Sequence, residues 1–245
     1  MVRFSRSTYN TSPSVNKDNA NEIYAELIKE YGLVNGEHCF LESRNMLTAL
    51  KLNSIGVQKQ NMHVANHDEF ECRMISNFVP NIHHMDVNEY LFLTKRKFKS
   101  FWLDYCGTAL GNQKTGCNPI EDLQTILAKG LIHDGGIVGF TFSTRRRNTK
   151  DGRKKQNRRL RHKISLCELK SNRRYTKLNL ETKSVNRKPK IIDYNKAEAI
   201  GFVYNSFQNF SDRYDFRFLK YLNYRKENKR AIMYTFFIQV YEKPP

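Results

Sequence analysis

One stretch of the chain decides the fold: Ser100-Phe101-Trp102-Leu103-Asp104-Tyr105-Cys106-Gly107-Thr108. Its run of large apolar side chains is bounded by polar residues and is short, as buried strands are. The charged Asp104 follows this run directly, and a charged side chain in that position is typical of a strand end. We therefore predict a buried strand over residues 100–104.

Four further apolar runs precede and follow this strand, and helical patterns separate them. The predicted strands are 38–42, 61–65, 81–85, 100–104 and 137–142, with Gly135-Gly136 as the turn into the last of these. The predicted helices are 20–32, 45–55, 69–77, 87–93, 119–130 and 194–209. Two strands with alternating aromatic residues, 215–224 and 231–242, form a hairpin around a turn at 226–229. This alternation predicts an α/β fold with a mostly parallel sheet, helices on both faces and an antiparallel hairpin at the end.

The positive charge of the chain is concentrated in one segment. Residues 144–190 contain nineteen lysines and arginines against three acidic residues, a net charge of +16 out of +18 for the whole chain. The rest of the chain is close to neutral, so the segment is not an ordinary solvated face with mixed signs. We call residues 144–190 the basic arm. The domain boundaries that follow are a flexible tail at 1–19, an α/β domain at 20–143 and 191–245, and the arm as an insertion.

Such a concentration of positive charge favours a polyanion as the partner, and nucleic acid, DNA or RNA, is the interpretation we prefer. An anionic membrane surface and a nuclear-import signal are the alternatives. Arginine outnumbers lysine in the first half of the arm, which suits forked contacts with phosphate oxygens. The nucleic-acid-binding candidates are Arg145, Arg146, Arg147, Arg153, Lys154, Lys155, Arg158, Arg159, Arg161, Arg173 and Arg174.

Composition indicates in which cellular compartment the protein lies and which kinds of binding site to expect. Five scattered cysteines, an odd number, predict reduced thiols in an intracellular compartment. Neither cysteine nor histidine spacing matches a metal site, and no apolar run is long enough to span a membrane, so we expect no metal and no membrane partner. The usage of lysine, asparagine and isoleucine is typical of an AT-rich genome, as in many large DNA viruses, which adds the nucleus, a viral factory or a virion as locations.

Five strand–helix units followed by a hairpin resemble the class I, S-adenosylmethionine-dependent methyltransferase fold, a Rossmann-like arrangement. The resemblance covers roughly residues 20–143 and 191–243. Three segments carry it: Asn81-Ile82-His83-His84-Met85-Asp86-Val87, Phe101-Trp102-Leu103-Asp104-Tyr105, and Leu131-Ile132-His133-Asp134-Gly135-Gly136-Ile137-Val138.

The resemblance implies S-adenosylmethionine as cofactor and places its contacts at the carboxyl ends of the strands. The implied cofactor-binding residues are Glu42, Ser43, Asn66, Asp68 and Asp86. For Glu42, a simple ion pair with Arg44 is the alternative. In the family a glycine-rich loop follows the first strand, whereas residues 41–48 here contain no glycine. Because side chains then occupy space that bare backbone leaves open, we expect weak cofactor binding.

The resemblance also implies that Asp104, Tyr105 and Cys106 line a reaction centre. An acid at the end of a central strand of an open α/β sheet is a frequent site residue, and a cap for the next loop is the alternative for Asp104. The segment 104–108 is similar to the signature of RNA cytosine-5 methyltransferases, although it lacks the proline and the cysteine comes one position early. Cys106 is therefore a candidate nucleophile, with a small buried apolar residue as the alternative.

Two functions remain open at this point. The first is a methyltransferase-like protein acting on nucleic acid, with the arm holding the polyanion over the carboxyl edge of the sheet. The second is an inactive methyltransferase fold that serves as a nucleic-acid-binding structural component of a virion or ribonucleoprotein particle. The position of the arm directly after the strand at 137–142 favours the first, and the glycine-free loop favours the second.

Overall fold

The predicted alternation of strands and helices builds a single mixed sheet in the part of the chain that the structure describes. The computed structural model describes residues 15–108, 119–143, 203, 206–225 and 232–244. The basic arm lies outside these residues, as do the turn at 226–229 and most of the predicted helix 194–209. Within the described ranges the sheet has seven strands in the order β3-β2-β1-β4-β5-β7-β6.

Strands β1 to β5 are parallel, and β7 runs antiparallel to both β5 and β6. The strands are β1 His38–Phe40, β2 Met62–Asn66, β3 Asn81–His84, β4 Phe98–Thr108, β5 Ile132–Ser143, β6 Tyr214–Arg225 and β7 Ile232–Glu242. The predicted fold class, a mostly parallel α/β sheet with an antiparallel C-terminal hairpin, is confirmed.

Helices cover both faces of this sheet. They are α1 Val15–Glu30, α2 Leu47–Ser54, α3 Glu69–Ser76, α4 Val87–Leu93 and α5 Pro119–Lys129. Apolar side chains of α1, α2 and α3 pack on one face, and those of α4 and α5 pack on the other. Helix α1 begins five residues before the predicted start at Ala20, so residues 15–19 of the predicted tail are helical.

Strand β4 is longer than predicted, and this changes the position of Asp104. The strand continues to Thr108, because after Asp104 pairs with Thr141 the backbone shifts register and Thr108 pairs with Ser143. Asp104 is therefore four residues from the strand end rather than at it. It still belongs to the half of β4 nearer the carboxyl edge of the sheet.

The glycine pair in β5 is also placed differently from the prediction. Strand β5 already begins at Ile132, so Gly135 and Gly136 lie inside the strand and not in a turn before it. The pairing with β4 shifts register at this point, from Ile132 opposite Phe98 to Ile137 opposite Ser100. Gly135 has a φ of 70°, a backbone conformation that glycine adopts without a steric penalty. The pair thus forms an irregularity that a β-carbon would hinder.

The centre of the sheet is held by aromatic rings stacked over a glycine. Trp102 of β4 stacks on Tyr24 of α1 and on Phe237 of β7, with ring centroids 5.6 and 5.1 Å apart. Gly139 of β5 lies between these two residues, because it pairs with Trp102 of β4 on one side and with Phe237 of β7 on the other. A β-carbon at Gly139 would meet Trp102 at 2.6 Å and Phe237 at 2.8 Å. Only glycine leaves room for these two rings to meet.

We predict that Gly139→Ala destabilises the fold by about 1–3 kcal/mol, the usual cost of overpacking a buried site. Chemical denaturation of the variant and the parent measures this change. In a Trp102→Phe background the smaller ring makes room, so the same substitution should cost at least about 0.5 kcal/mol less. Equal costs in both backgrounds would show that the overlap with Trp102 is not the cause.

Candidate functional site at the carboxyl edge

The carboxylate of Glu42 binds the start of helix α2. Glu42 lies two residues beyond β1 and is buried, and one carboxylate oxygen accepts hydrogen bonds from the amides of Thr48 and Ala49, both at 2.9 Å. The other oxygen accepts from the amide of the buried Ser43 at 3.0 Å. A helix start presents unpaired N–H groups and a partial positive charge, and an anion stabilises both. Glu42 therefore supplies from within the chain the anion that this helix start attracts.

Met46 takes a backbone conformation that glycine usually provides. Its φ is 50°, and within the described residues it is the single non-glycine residue with positive φ. The Met46 amide donates to the carbonyl of Ser43 at 2.9 Å, which closes the loop just before α2. The loop thus contains a left-handed residue, as glycine-rich loops do, but with a side chain attached.

Arg44 pairs with Glu71 of α3. The Arg44 amide and Nε donate to the two Glu71 carboxylate oxygens at 2.6 and 2.9 Å, and Nη2 lies 2.6 Å from Oε1. Glu71 is almost fully buried, and a buried carboxylate is costly unless it is paired and hydrogen-bonded, as it is here. Arg44, which the sequence offered as a partner for Glu42, therefore has its positive charge balanced by Glu71.

Asn66 and Asp68 organise the turn from β2 into α3. Buried Asn66 donates through Nδ2 to the Glu42 carbonyl at 3.0 Å and accepts from the Asp68 amide at 2.9 Å. Asp68 caps α3, since one oxygen accepts from the amides of Phe70 and Glu71 at 2.9 and 3.1 Å. The structure therefore brings the loops after β1 and β2 together through side chains predicted to contact a cofactor.

Asp86 lies at the next strand end, after β3, at the start of α4. Its side chain is about half exposed at 53%, and one oxygen lies 3.5 Å from Nδ1 of His67. The predicted acid of the third strand is therefore accessible at the carboxyl edge, beside the loop that follows β2.

Strand β4 separates two of the predicted catalytic side chains. Successive side chains of a strand point to opposite faces, so Asp104 shares the α1–α2 face with Trp102, and Tyr105 points to the α4–α5 face. Asp104 is partly exposed, whereas Tyr105 is buried and donates a hydrogen bond to Asp122. The Cys106 side chain and the arginines and lysines of the basic arm lie outside the described residues.

Sequence reasoning missed the network that covers the start of α2. Oδ1 of the buried Asn21 accepts from Nε1 of Trp102 at 2.8 Å and from the Thr48 hydroxyl at 3.2 Å. Asn21 belongs to α1, which the apolar stripe predicts only as a packing helix. No local pattern marks an asparagine that bonds two segments far along the chain.

Asp122 was also missed, because an acid in the first turn of a helix is expected for helix electrostatics alone. Asp122 is 1% exposed, and burial raises the pKa of its carboxyl to about 7, further raised by nearby Glu121 and Asp86 and opposed by the Tyr105 hydroxyl. Its Oδ1 has no hydrogen-bond partner among the described residues. This carboxyl therefore keeps its proton to a much higher pH than an ordinary aspartate does.

Buried histidines lie at the opposite, amino edge of the sheet. Burial lowers the pKa of His38 at the start of β1 to about 4, and it also lowers the pKa of His63 in β2. Both imidazoles are neutral at pH 7, so the stability they contribute is lost as the pH falls from about 6.5 towards 4. These two histidines are buried core residues and do not belong to the carboxyl edge.

The described part of the chain has no group of three or more His, Cys, Asp or Glu side chains placed to hold a metal ion. No helix within it is both long and apolar enough to cross a membrane.

The strand order, with a final strand inserted antiparallel between β5 and β6, defines a Rossmann-like fold of the class I methyltransferase type. No protein-family model matches the chain, and no curated protein matches it. Solved structures of methyltransferases and related enzymes resemble it in fold at low identity.

Three of these structures illustrate the likeness. Trm5b from Pyrococcus abyssi is 10% identical with a TM-score of 0.49, covering 96% of this chain and 51% of that one. TYW2 from P. horikoshii, in complex with MeSAdo, is 12% identical with a TM-score of 0.48, covering 96% and 65%. The N-methyltransferase NodS from Bradyrhizobium japonicum, in complex with S-adenosyl-L-homocysteine, is 8% identical with a TM-score of 0.47, covering 96% and 94%. Likeness at this level concerns the course of the backbone and not the chemistry.

We predict that Asp122→Asn becomes more stable relative to the parent as the pH rises. The folded carboxyl keeps its proton up to about pH 7, against 3.8 for an ordinary aspartate, so the parent loses stability as the pH rises from about 4 to 7. A shift of this size corresponds to at most about 4 kcal/mol. Chemical denaturation of both proteins at pH 5 and pH 8 measures the difference.

The histidines are common to both proteins, so their opposite pH dependence cancels in this comparison. Asp86→Asn is the matched control, because it removes a nearby but exposed carboxylate and should change stability by less than about 0.5 kcal/mol. If the free energies of unfolding of Asp122→Asn and the parent differ by the same amount at pH 5 and pH 8, the raised pKa of Asp122 would be contradicted.

Proposed function

We propose that this protein binds nucleic acid, with the basic arm holding the polyanion over the carboxyl edge of a methyltransferase-like domain. The observation that carries the proposal is the point from which the arm departs. Strand β5 ends at Ser143, which pairs with Thr108 of β4 and Met233 of β7. Because β5 is parallel to β1 to β4, its end lies at the edge where the loops bearing Glu42, Asp68 and Asp86 also meet.

The charge distribution supports the same proposal. The arm carries +16 of the net +18, and the rest of the chain is nearly neutral. Charge of one sign at this density repels itself and is stabilised by a polyanion. Domain boundaries at 143 and 191 follow from this proposal, with the α/β domain as the base from which the arm acts.

S-adenosylmethionine is the cofactor implied by this fold, and the residues present do not fit it in the usual way. Rossmann-like folds present free amides and bare backbone to a ligand at the first helix start. Here the amides of Thr48 and Ala49 are bonded to Glu42, and residues 43–46 all have side chains. We therefore derive no catalytic step through this cofactor, and nucleic-acid binding is the function that we propose first.

Methyl transfer to nucleic acid is the second candidate, and the position of Asp104 favours it. Asp104 is a partly exposed acid in the half of β4 nearest the carboxyl edge, on the face that it shares with Trp102. In open α/β sheets this is where ligands bind. Cys106 would be the nucleophile if the target were a cytosine carbon, since that route requires a thiolate.

We expect deletion of residues 145–190 to remove most of the affinity for nucleic acid and to leave the domain folded. The logarithm of the affinity of the intact protein should fall with the logarithm of salt concentration, with a slope of about −0.9 for each phosphate neutralised on duplex DNA. Fluorescence anisotropy at a series of salt concentrations measures both effects. Circular dichroism verifies that the deletion variant is folded.

The matched control keeps the length of the arm and changes its charge. Arg145, Arg146, Arg147, Arg158 and Arg159 are replaced together by glutamine, which should reduce the salt slope as well as the affinity. A flat salt dependence of the intact protein, or a deletion variant that binds as tightly as the parent, would refute the proposed function.

We expect S-adenosylmethionine to bind with a dissociation constant of about 100 μM or weaker, which corresponds to about 5.5 kcal/mol or less. The reason is that Glu42 already accepts hydrogen bonds from the amides at the start of α2 that a ligand would otherwise use. Isothermal titration calorimetry, with and without a nucleic-acid oligomer, measures the affinity. Binding in the low micromolar range would show that the loop opens, and methyl transfer would then become the leading function.

A further inference from the structure

We propose that Phe70 and Arg44 form a stacking platform for an unpaired base of a single-stranded nucleic acid at the carboxyl edge. This inference rests on the proposed nucleic-acid-binding function and adds a second contact, separate from the basic arm. We call the two side chains the Arg44–Phe70 platform.

Phe70 is an exposed aromatic side chain at the carboxyl edge of the sheet. It lies in the first turn of α3, directly after the loop from β2, and 55% of it is exposed to solvent. Few large apolar side chains in the described part of the chain are as exposed. Because α3 starts where β2 ends, the ring lies at the same edge as Ser143, from which the arm departs.

Arg44 is held rigidly beside this ring. Its guanidinium carbon is 5.1 Å from the centroid of Phe70, and its side chain is 47% exposed. Two side-chain contacts to Oε1 of the buried Glu71, from Nε at 2.9 Å and Nη2 at 2.6 Å, fix its orientation. A planar group fixed in advance loses little conformational freedom when a ligand stacks on it.

The charges around the platform determine which ligand fits. Glu71 balances Arg44, and the neighbouring Glu69 forms an ion pair with Arg73 at 2.6 Å. These two ion pairs have no net charge, and the adjacent Asp68 carboxylate binds the start of α3, so the platform offers flat π and guanidinium surfaces more than a phosphate site. Nucleobases stack on such surfaces, and their faces are accessible only where the strand is unpaired.

A strand held by the arm would supply such bases at this edge. The arm attracts the phosphates of a polyanion over a long range. It would not attract an apolar protein partner, and it would repel a second, equally basic copy of this chain. Single-stranded nucleic acid is therefore the occupant that matches both the flat surface and the adjacent charge.

The test compares two exposed phenylalanines that differ mainly in location. Phe92, at the end of α4 near the amino edge, is 73% exposed and has Lys129 Nζ 5.6 Å from its ring centroid. Phe70→Ala and Phe92→Ala therefore remove the same kind of side chain, each beside a cation, from opposite edges of the sheet. The Arg44 side chain is left intact, because its removal would leave the buried Glu71 carboxylate without its cation.

Fluorescence anisotropy of the full-length chain is measured with labelled dT12, U12 and a 12-base-pair duplex. We expect Phe70→Ala to weaken binding to the two single strands by roughly 5- to 150-fold, since a stacked base contributes about 1–3 kcal/mol. Affinity for the duplex and the salt slope should remain those of the parent. Phe70→Tyr should restore single-strand binding, and Phe92→Ala should leave all affinities unchanged.

Each other outcome has a distinct meaning. If the parent binds none of the three probes, the proposed function itself fails. If the parent binds and Phe70→Ala behaves like the parent, or weakens single strand and duplex equally, the platform is refuted and the function of the arm stands. An equal loss in Phe70→Ala and Phe92→Ala would also refute it, because the effect would not depend on the carboxyl edge.

Discussion

Close contact between Trp102 and the backbone at Gly139 is the constraint on which the rest of the structure depends. Since Gly139 has no side chain, the Trp102 and Phe237 rings stack with centroids 5.1 Å apart, across three neighbouring strands. Tyr24 stacks on the same indole and attaches α1 to the sheet. The terminal hairpin, the central strand and the first helix are thereby packed together through one set of stacked rings.

The candidate site depends on this packing, because the indole N–H of Trp102 donates a hydrogen bond to the polar network at the start of α2. Trp102 donates to Asn21, which also accepts from the Thr48 hydroxyl at the start of α2, and the amides of Thr48 and Ala49 donate to Glu42. Polar groups that a ligand would contact in a Rossmann-like fold are thus bonded to one another. At this edge the described polar groups at the start of α2 are bonded to one another, and the exposed Phe70 and the end of β5 at Ser143 lie at the same edge.

Prediction from the sequence succeeded where the signal is local, and it failed where pairing between two strands makes a strand longer than its apolar run. The run before Asp68 marks β2 correctly, because all of that strand is buried and strands buried on both faces are rich in apolar side chains. Asp104 does not end its strand, since Thr108 finds a partner in Ser143 beyond an irregularity. Gly135 lies within a strand for the same reason: bulges are properties of two paired strands and not of one.

The sequence by itself determined the fold class, the order of the elements and the segment that holds the charge, because periodicity and composition are properties of the chain. Only the tertiary structure decided which polar side chains meet. Arg44 pairs with Glu71, Glu42 binds the start of α2, and Tyr105 bonds to Asp122. The pKa of Asp122 likewise follows from burial by residues distant in sequence. Such contacts depend on how helices and strands pack, and no local pattern records that geometry.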